Sequence, residues 1–143
     1  MQVQRYRDRI SGPLLDRIDL HVEVPAVQYQ EMASNQAAEA SSAIRERIDA
    51  ARETQRRRFA GTGRTRTNAR MSARQIKQFC QLAADAEGMM KMAMTELNFS
   101  ARAYDRILKV ARTIADLEGQ PDIQAQHVAE AIQYRTLDRN LWA

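Results

Sequence analysis

Hydrophobic positions along the chain follow two different periods. In residues 19–25, DLHVEVP, Leu20, Val22 and Val24 alternate with His21 and Glu23, and Pro25 closes the run. A period of two ended by proline predicts a short strand. No second segment reads as a strand, so this one is an orphan whose backbone donors and acceptors need partners from elsewhere. From residue 34 onward the period is helical. SNQAAEASSAIRERIDAARETQRRRFAG places Ala40, Ile44, Ile48, Ala51 and Gln55 on one face and predicts a long helix ending near Gly61. GTGRTRTNAR, residues 61–70, has no apolar period and reads as a mobile basic loop.

Four shorter helical patterns complete the chain. Ser72 and Gln75 form a capping-box pattern before Ile76, Phe79, Cys80 and Leu82 or Ala83. From about Asp85 to Leu97, Met89, Met90, Ala93, Met94 and Leu97 form a buried stripe, with Met92 off it and Asn98 as the stop. Ser100 then caps ARAYDRILKVARTIADLEG. Here Tyr104, Ile107, Leu108, Ala111, Ile114, Ala115 and Leu117 face inward, Arg102, Arg106, Lys109, Arg112 and Asp116 point away, and Gly119 and Pro121 end the helix. The last helix, from about Gln124 to Arg135, buries Val128, Ala131 and Ile132. The predicted fold is mainly α: a bundle of four to five helices preceded by an N-terminal arm with one orphan strand.

Composition narrows the chemistry. A chain of 143 residues suits one domain. No run approaches the ~18 apolar residues of a membrane span, and MQVQRYRDRI is too charged for a signal peptide, so a cytoplasmic location is expected. One cysteine, Cys80, and two histidines, His21 and His127, make neither a disulfide framework nor a structural zinc site. Cys80 fits as a small core residue, and the two histidines fit structural or surface positions. GTGRT lacks the lysine, the preceding strand and the following helix of a phosphate loop.

The charge is uneven. Residues 45–74 contain ten arginines against Glu46, Asp49 and Glu53, and from Arg56 to Arg74 there is no acid at all. A charge run is usually a solvated helix face, and the acids before Arg56 suit that reading. The acid-free half, with Arg56, Arg57, Arg58, Arg64, Arg66, Arg70 and Arg74 among Thr, Asn and Gly, suits sequence-tolerant contact with nucleic-acid phosphates. Phe59 is the only aromatic nearby, which speaks against base stacking.

RISGPLLDRIDLHVEVP, SARAYDRILKVARTIADLEG and HVAEAIQYRTLDR, in that order, resemble the C-terminal part of the magnesium-chelatase-like AAA+ ATPases of the ComM/YifB family. The resemblance implies that residues 1–26 end an ATPase core and residues 27–143 form its helical lid, with a basic loop at about 60–71. It gives the strand a sheet to join. It implies that Arg17 is similar to the arginine finger that acts in trans, and that Arg102 resembles the sensor-2 arginine contacting ATP phosphates. ATP and Mg²⁺ would be used by the parent protein and bound by no part of this segment alone. The implied partners are the rest of the core, further copies in a hexameric ring, and DNA during uptake and recombination. A magnesium-chelatase subunit and a stand-alone helical DNA-binding domain are the alternatives; without the family, Arg17 is a turn residue pairing with Asp16 or Asp19.

Overall fold

The computed structural model describes residues 14, 17–22, 24–26 and 39–135. Among them are five α-helices: α1 (Ser41–Arg58), α2 (Ala73–Phe79), α3 (Ala84–Glu96), α4 (Ala101–Leu117) and α5 (Ala125–Gln133). A 3₁₀ turn, Asn68–Arg70, lies between α1 and α2.

Local sequence explains most of the boundaries. Ser72 and Gln75 form the reciprocal cap expected of them: the Ser72 hydroxyl accepts from the Gln75 N–H and Gln75 Oε1 from the Ser72 N–H at 3.0 Å. Asn98 takes a left-handed φ of 50° after α3. The Ser100 hydroxyl accepts from the Ala103 N–H at 3.2 Å at the start of α4. At its end Gly119, with φ 69°, lets its own N–H reach the Asp116 carbonyl and the Gln120 N–H reach that of Ala115. This pair of bonds is a Schellman closure, and it requires the left-handed residue that glycine supplies.

α4 is the centre of the bundle and packs on α5, α1, α2 and the 3₁₀ turn, while α3 packs on α5. Ile107, Leu108, Ala111 and Ile114 of α4 meet Phe59, Ile76, Met90, Val128 and Ala131 in one core. Phe59 and Phe79 close one side edge to face, with ring centroids 5.6 Å apart. Met92 is exposed, as its register predicts.

Several expectations need correction. The predicted strand is absent among the described residues, whose one β-type pairing is an isolated parallel bridge between Leu82 and Ile123. The expected faces are also reversed: His21 is buried, while Leu20, Val22 and Val24 are exposed. A strand needs a ladder, and the described residues offer none. The His21 N–H donates instead to the Tyr134 carbonyl at the end of α5 at 2.8 Å, and the Ile18 carbonyl accepts from the Arg135 guanidinium. The long helix begins at Ser41, with Glu39 and Ala40 outside it. Its Ala51 and Gln55 are buried as expected, but Ile44 and Ile48 lie beyond the reach of the core and are exposed. Tyr104 and Leu117 of the expected inward stripe of α4 are likewise exposed, and Arg112 and Asp116, expected outside, are buried. The loop at 60–71 is not the unattached segment its composition suggests, because Asn68 and Met71 are buried within it.

Candidate functional site

Of the two arginines singled out for nucleotide chemistry, Arg102 lies at the start of the bundle's central helix and Arg17 in a segment tied to that helix. Arg17 lies in a turn, its N–H donating to the Leu14 carbonyl at 3.0 Å, with an exposed side chain. Its expected partner Asp19 is engaged elsewhere, paired with Arg106 of α4. Arg102 is exposed in the first turn of α4, one turn before Arg106. The segment carrying Arg17 is therefore tied to the helix carrying Arg102. Neither Arg17 nor Arg102 makes an ion pair among the described residues.

The basic run divides into three groups. Arg56 and Arg57 are exposed and share Glu53, at 3.1 and 3.3 Å, which holds that carboxyl below its ordinary range. Arg64, Arg66, Arg70 and Arg74 are exposed and make no ion pair among the described residues. Arg58 departs from the expected set because it turns inward, its side chain 12% exposed, and grips Asp116 with both terminal nitrogens at 2.5 and 2.6 Å. A bidentate guanidinium already satisfied by a buried carboxylate is not free to meet a phosphate.

That contact belongs to a buried network that periodicity did not reveal. Asp116 also accepts from Arg112 Nε at 3.1 Å and from Asn68 Nδ2 at 2.8 Å. Asn68 Oδ1 accepts from Arg58, its Nδ2 reaches Thr113, and its N–H donates to Gln55 Oε1 at 3.1 Å. Arg112 donates to the carbonyls of Pro121 and Gln120 at 2.7 and 2.6 Å, closing the loop after α4. Burial pulls the Arg112 guanidinium down from its ordinary value, and Asp116 opposes that shift. Four elements meet here, and the basic loop is fixed between its ends. The sequence signal was available only as an Asn in a glycine- and threonine-rich loop and as a polar face too rich in paired charges.

Lys109 is a second residue missed from sequence. Its ammonium donates to the Ala69 carbonyl at 3.1 Å, drawing the loop onto α4. Arg64, Thr65, Ala69, Arg70, Met71 and Lys109 line an open cleft of about 390 Å³. A neighbouring hollow of about 240 Å³ contains Arg56, Arg66 and Phe59. Cys80 is buried, and burial pushes its thiol up to about 11, which suits a core residue and not a nucleophile. His127 is fully buried at the start of α5, where Nδ1 accepts from the Gln124 N–H at 2.9 Å and Nε2 meets Glu118 at 2.9 Å.

For a nucleotide, the donor set offered here is partial. It contains exposed guanidiniums able to touch phosphates from outside, and the sequence has no phosphate loop to enclose them. Among the described residues no three His, Cys, Asp or Glu side chains gather as metal ligands, and no helix is long and apolar enough to cross a membrane.

Comparison with known proteins fits this partial character. YifB of Salmonella typhimurium and the competence protein ComM of Haemophilus influenzae are each 40% identical over 141 residues, 98% of this chain and 27% of theirs. YifB of Escherichia coli is 38% identical over the same length. The chain thus spans 27% of the length of these curated relatives. The magnesium chelatase subunit ChlI family matches residues 1–32, and the magnesium chelatase subunit ChlI C-terminal family matches residues 38–135. With most of its length covered by that second match, the chain belongs to the magnesium chelatase ChlI C-terminal family.

Proposed function

We propose that this chain is the end of an AAA+ core and the helical lid of a ring-forming, ATP-driven motor that works on DNA, a reading that its exposed basic face supports and that suits its likeness to the competence protein ComM. In this reading Arg17 is the arginine finger. Its guanidinium is always charged and presents a planar fork of donors, so it stabilises charge on a phosphoryl group held by the adjacent subunit. Arg102 is the sensor-2 residue, positioned by the Ser100 cap in the first turn of α4, where the helix dipole also favours an anion. ATP and Mg²⁺ supply the phosphoryl group and its charge neutralisation when bound by the remainder of the core. Arg56, Arg57, Arg64, Arg66, Arg70 and Arg74 form the face that meets DNA phosphates.

The observation that carries the reading is the pairing of Asp19 with Arg106. Two exposed arginines, neither in an ion pair among the described residues, are carried by a segment and a helix that this contact ties together, which suits two contacts on nucleotide phosphates. A magnesium-chelatase role uses the same motor and has the family description behind it, but a basic face gives no advantage with a porphyrin. A stand-alone DNA-binding domain leaves the family match over residues 1–32 without a purpose.

The test is Arg17→Ala in the full-length ring protein. Turnover falls by about 10³-fold or more while nucleotide binding stays unchanged. Loss of nucleotide binding along with turnover makes Arg17 a structural residue and contradicts the assignment.

A further inference from the structure

Lys109 stands on the polar face of α4, and the Ala69 carbonyl that it holds at 3.1 Å lies 40 residues earlier in the chain. An ammonium has three donors, so this bond fixes its position and leaves donors to spare. Arg64 and Arg70 reach the same cleft from the loop. Three cations from two elements therefore line one hollow, and among the described residues no carboxylate lines it. The Thr65 hydroxyl is directed to Gln75 Oε1 at 3.2 Å, so the side-chain donors facing the cleft are the three cations. Holding like charges together raises the local potential, and an anion seated among them relieves it.

The surroundings decide which anion fits. Among the described residues no aromatic side chain lines the cleft, and in the neighbouring hollow Phe59 is 4% exposed and engaged with Phe79, so none of them offers an open face for a base to stack on. The two hollows share Thr65, with Arg56 and Arg66 on one side and Arg64, Arg70 and Lys109 on the other. Successive cationic seats suit a chain of phosphates better than a single one. We propose that the cleft between the 61–71 loop and α4 seats a phosphodiester of a nucleic-acid backbone, with Lys109 as its fixed cation and Arg64 and Arg70 closing on the same group. This rests on the reading of the basic loop as a DNA contact, and adds a seat that the loop cannot form without α4.

Duplex DNA binding by the 143-residue chain, measured across a salt series, tests the seat. Lys109→Gln retains a donor for Ala69 and removes the charge. The slope of log affinity against log salt shrinks by up to about 0.9, Lys109→Arg restores it, and Lys91→Gln on α3, with the same change in net charge, leaves it alone. An unchanged urea midpoint for Lys109→Gln shows that the fold is intact. If Arg64→Ala with Arg70→Ala flattens the slope but Lys109→Gln matches Lys91→Gln, the loop reading stands and the seat is overturned. If neither variant alters the slope, the loop reading falls and the seat falls with it. Magnesium-free ATP competing as well as DNA at equal phosphate concentration overturns the backbone assignment in favour of a nucleotide.

Discussion

Asp116 is wholly buried and accepts four hydrogen bonds, two from Arg58, one from Arg112 and one from Asn68. A buried ion cluster of this kind is costly to assemble and far costlier to break, since removing its anion leaves two desolvated cations facing each other. Asp116→Ala should therefore cost about 3–5 kcal/mol, read from the urea midpoint. That is a large part of the roughly 5–15 kcal/mol that keeps a domain folded. A loss below about 1 kcal/mol would show that the network adds no stability. Arg58→Ala separates structure from binding: it lowers the midpoint and leaves the salt slope of DNA binding unchanged, whereas Arg66→Ala does the reverse. Arg58 looked like its neighbours Arg56 and Arg57 because nothing within a few residues distinguishes it. Its partner is 58 residues away, and only the packed fold reveals it.

At the scale of elements, the legible features were the local ones. The Ser72–Gln75 box, the Ser100 cap, the Asn98 stop and the Gly119 closure each operate within about five residues, and each is where the pattern placed it. The strand failed for the opposite reason. Alternation describes one segment, whereas a strand exists only beside another, and here the backbone of Ile18 and His21 bonds to the end of α5. The start of α5 gives a pH prediction. His127 is the principal cause that holds the Glu118 carboxyl below the ordinary glutamate range, with Gln126 adding to it. A carboxyl lowered by folding contributes stability above its unfolded value and loses it as pH falls through its folded value. Glu118 lies near the surface, so the contribution is small. Glu118→Gln should leave the urea midpoint less sensitive to acid through that window. An identical acid limb in wild type and variant would show that the His127 contact is not coupled to folding.

For the whole molecule, α4 acts as a rod of roughly 25 Å. Arg102 opens it, Arg106 ties the Arg17 segment one turn later, and Lys109 meets the basic loop. Arg112 and Asp116 lock its far end to α1 and to the loop before α5. On the proposed reading, the nucleotide-facing residues and the DNA face are joined by a packed helix and not by a flexible linker. The cation that matters most on this reading acts across a subunit boundary. Mixing two inactive full-length proteins tests that boundary: one is Arg17→Ala, and the other has an intact Arg17 but a disabled phosphate loop. Mixed rings should recover part of the wild-type ATP turnover, because some interfaces then pair a sound pocket with a sound finger. Mixed rings that form at every ratio yet never hydrolyse ATP would contradict the assignment of Arg17.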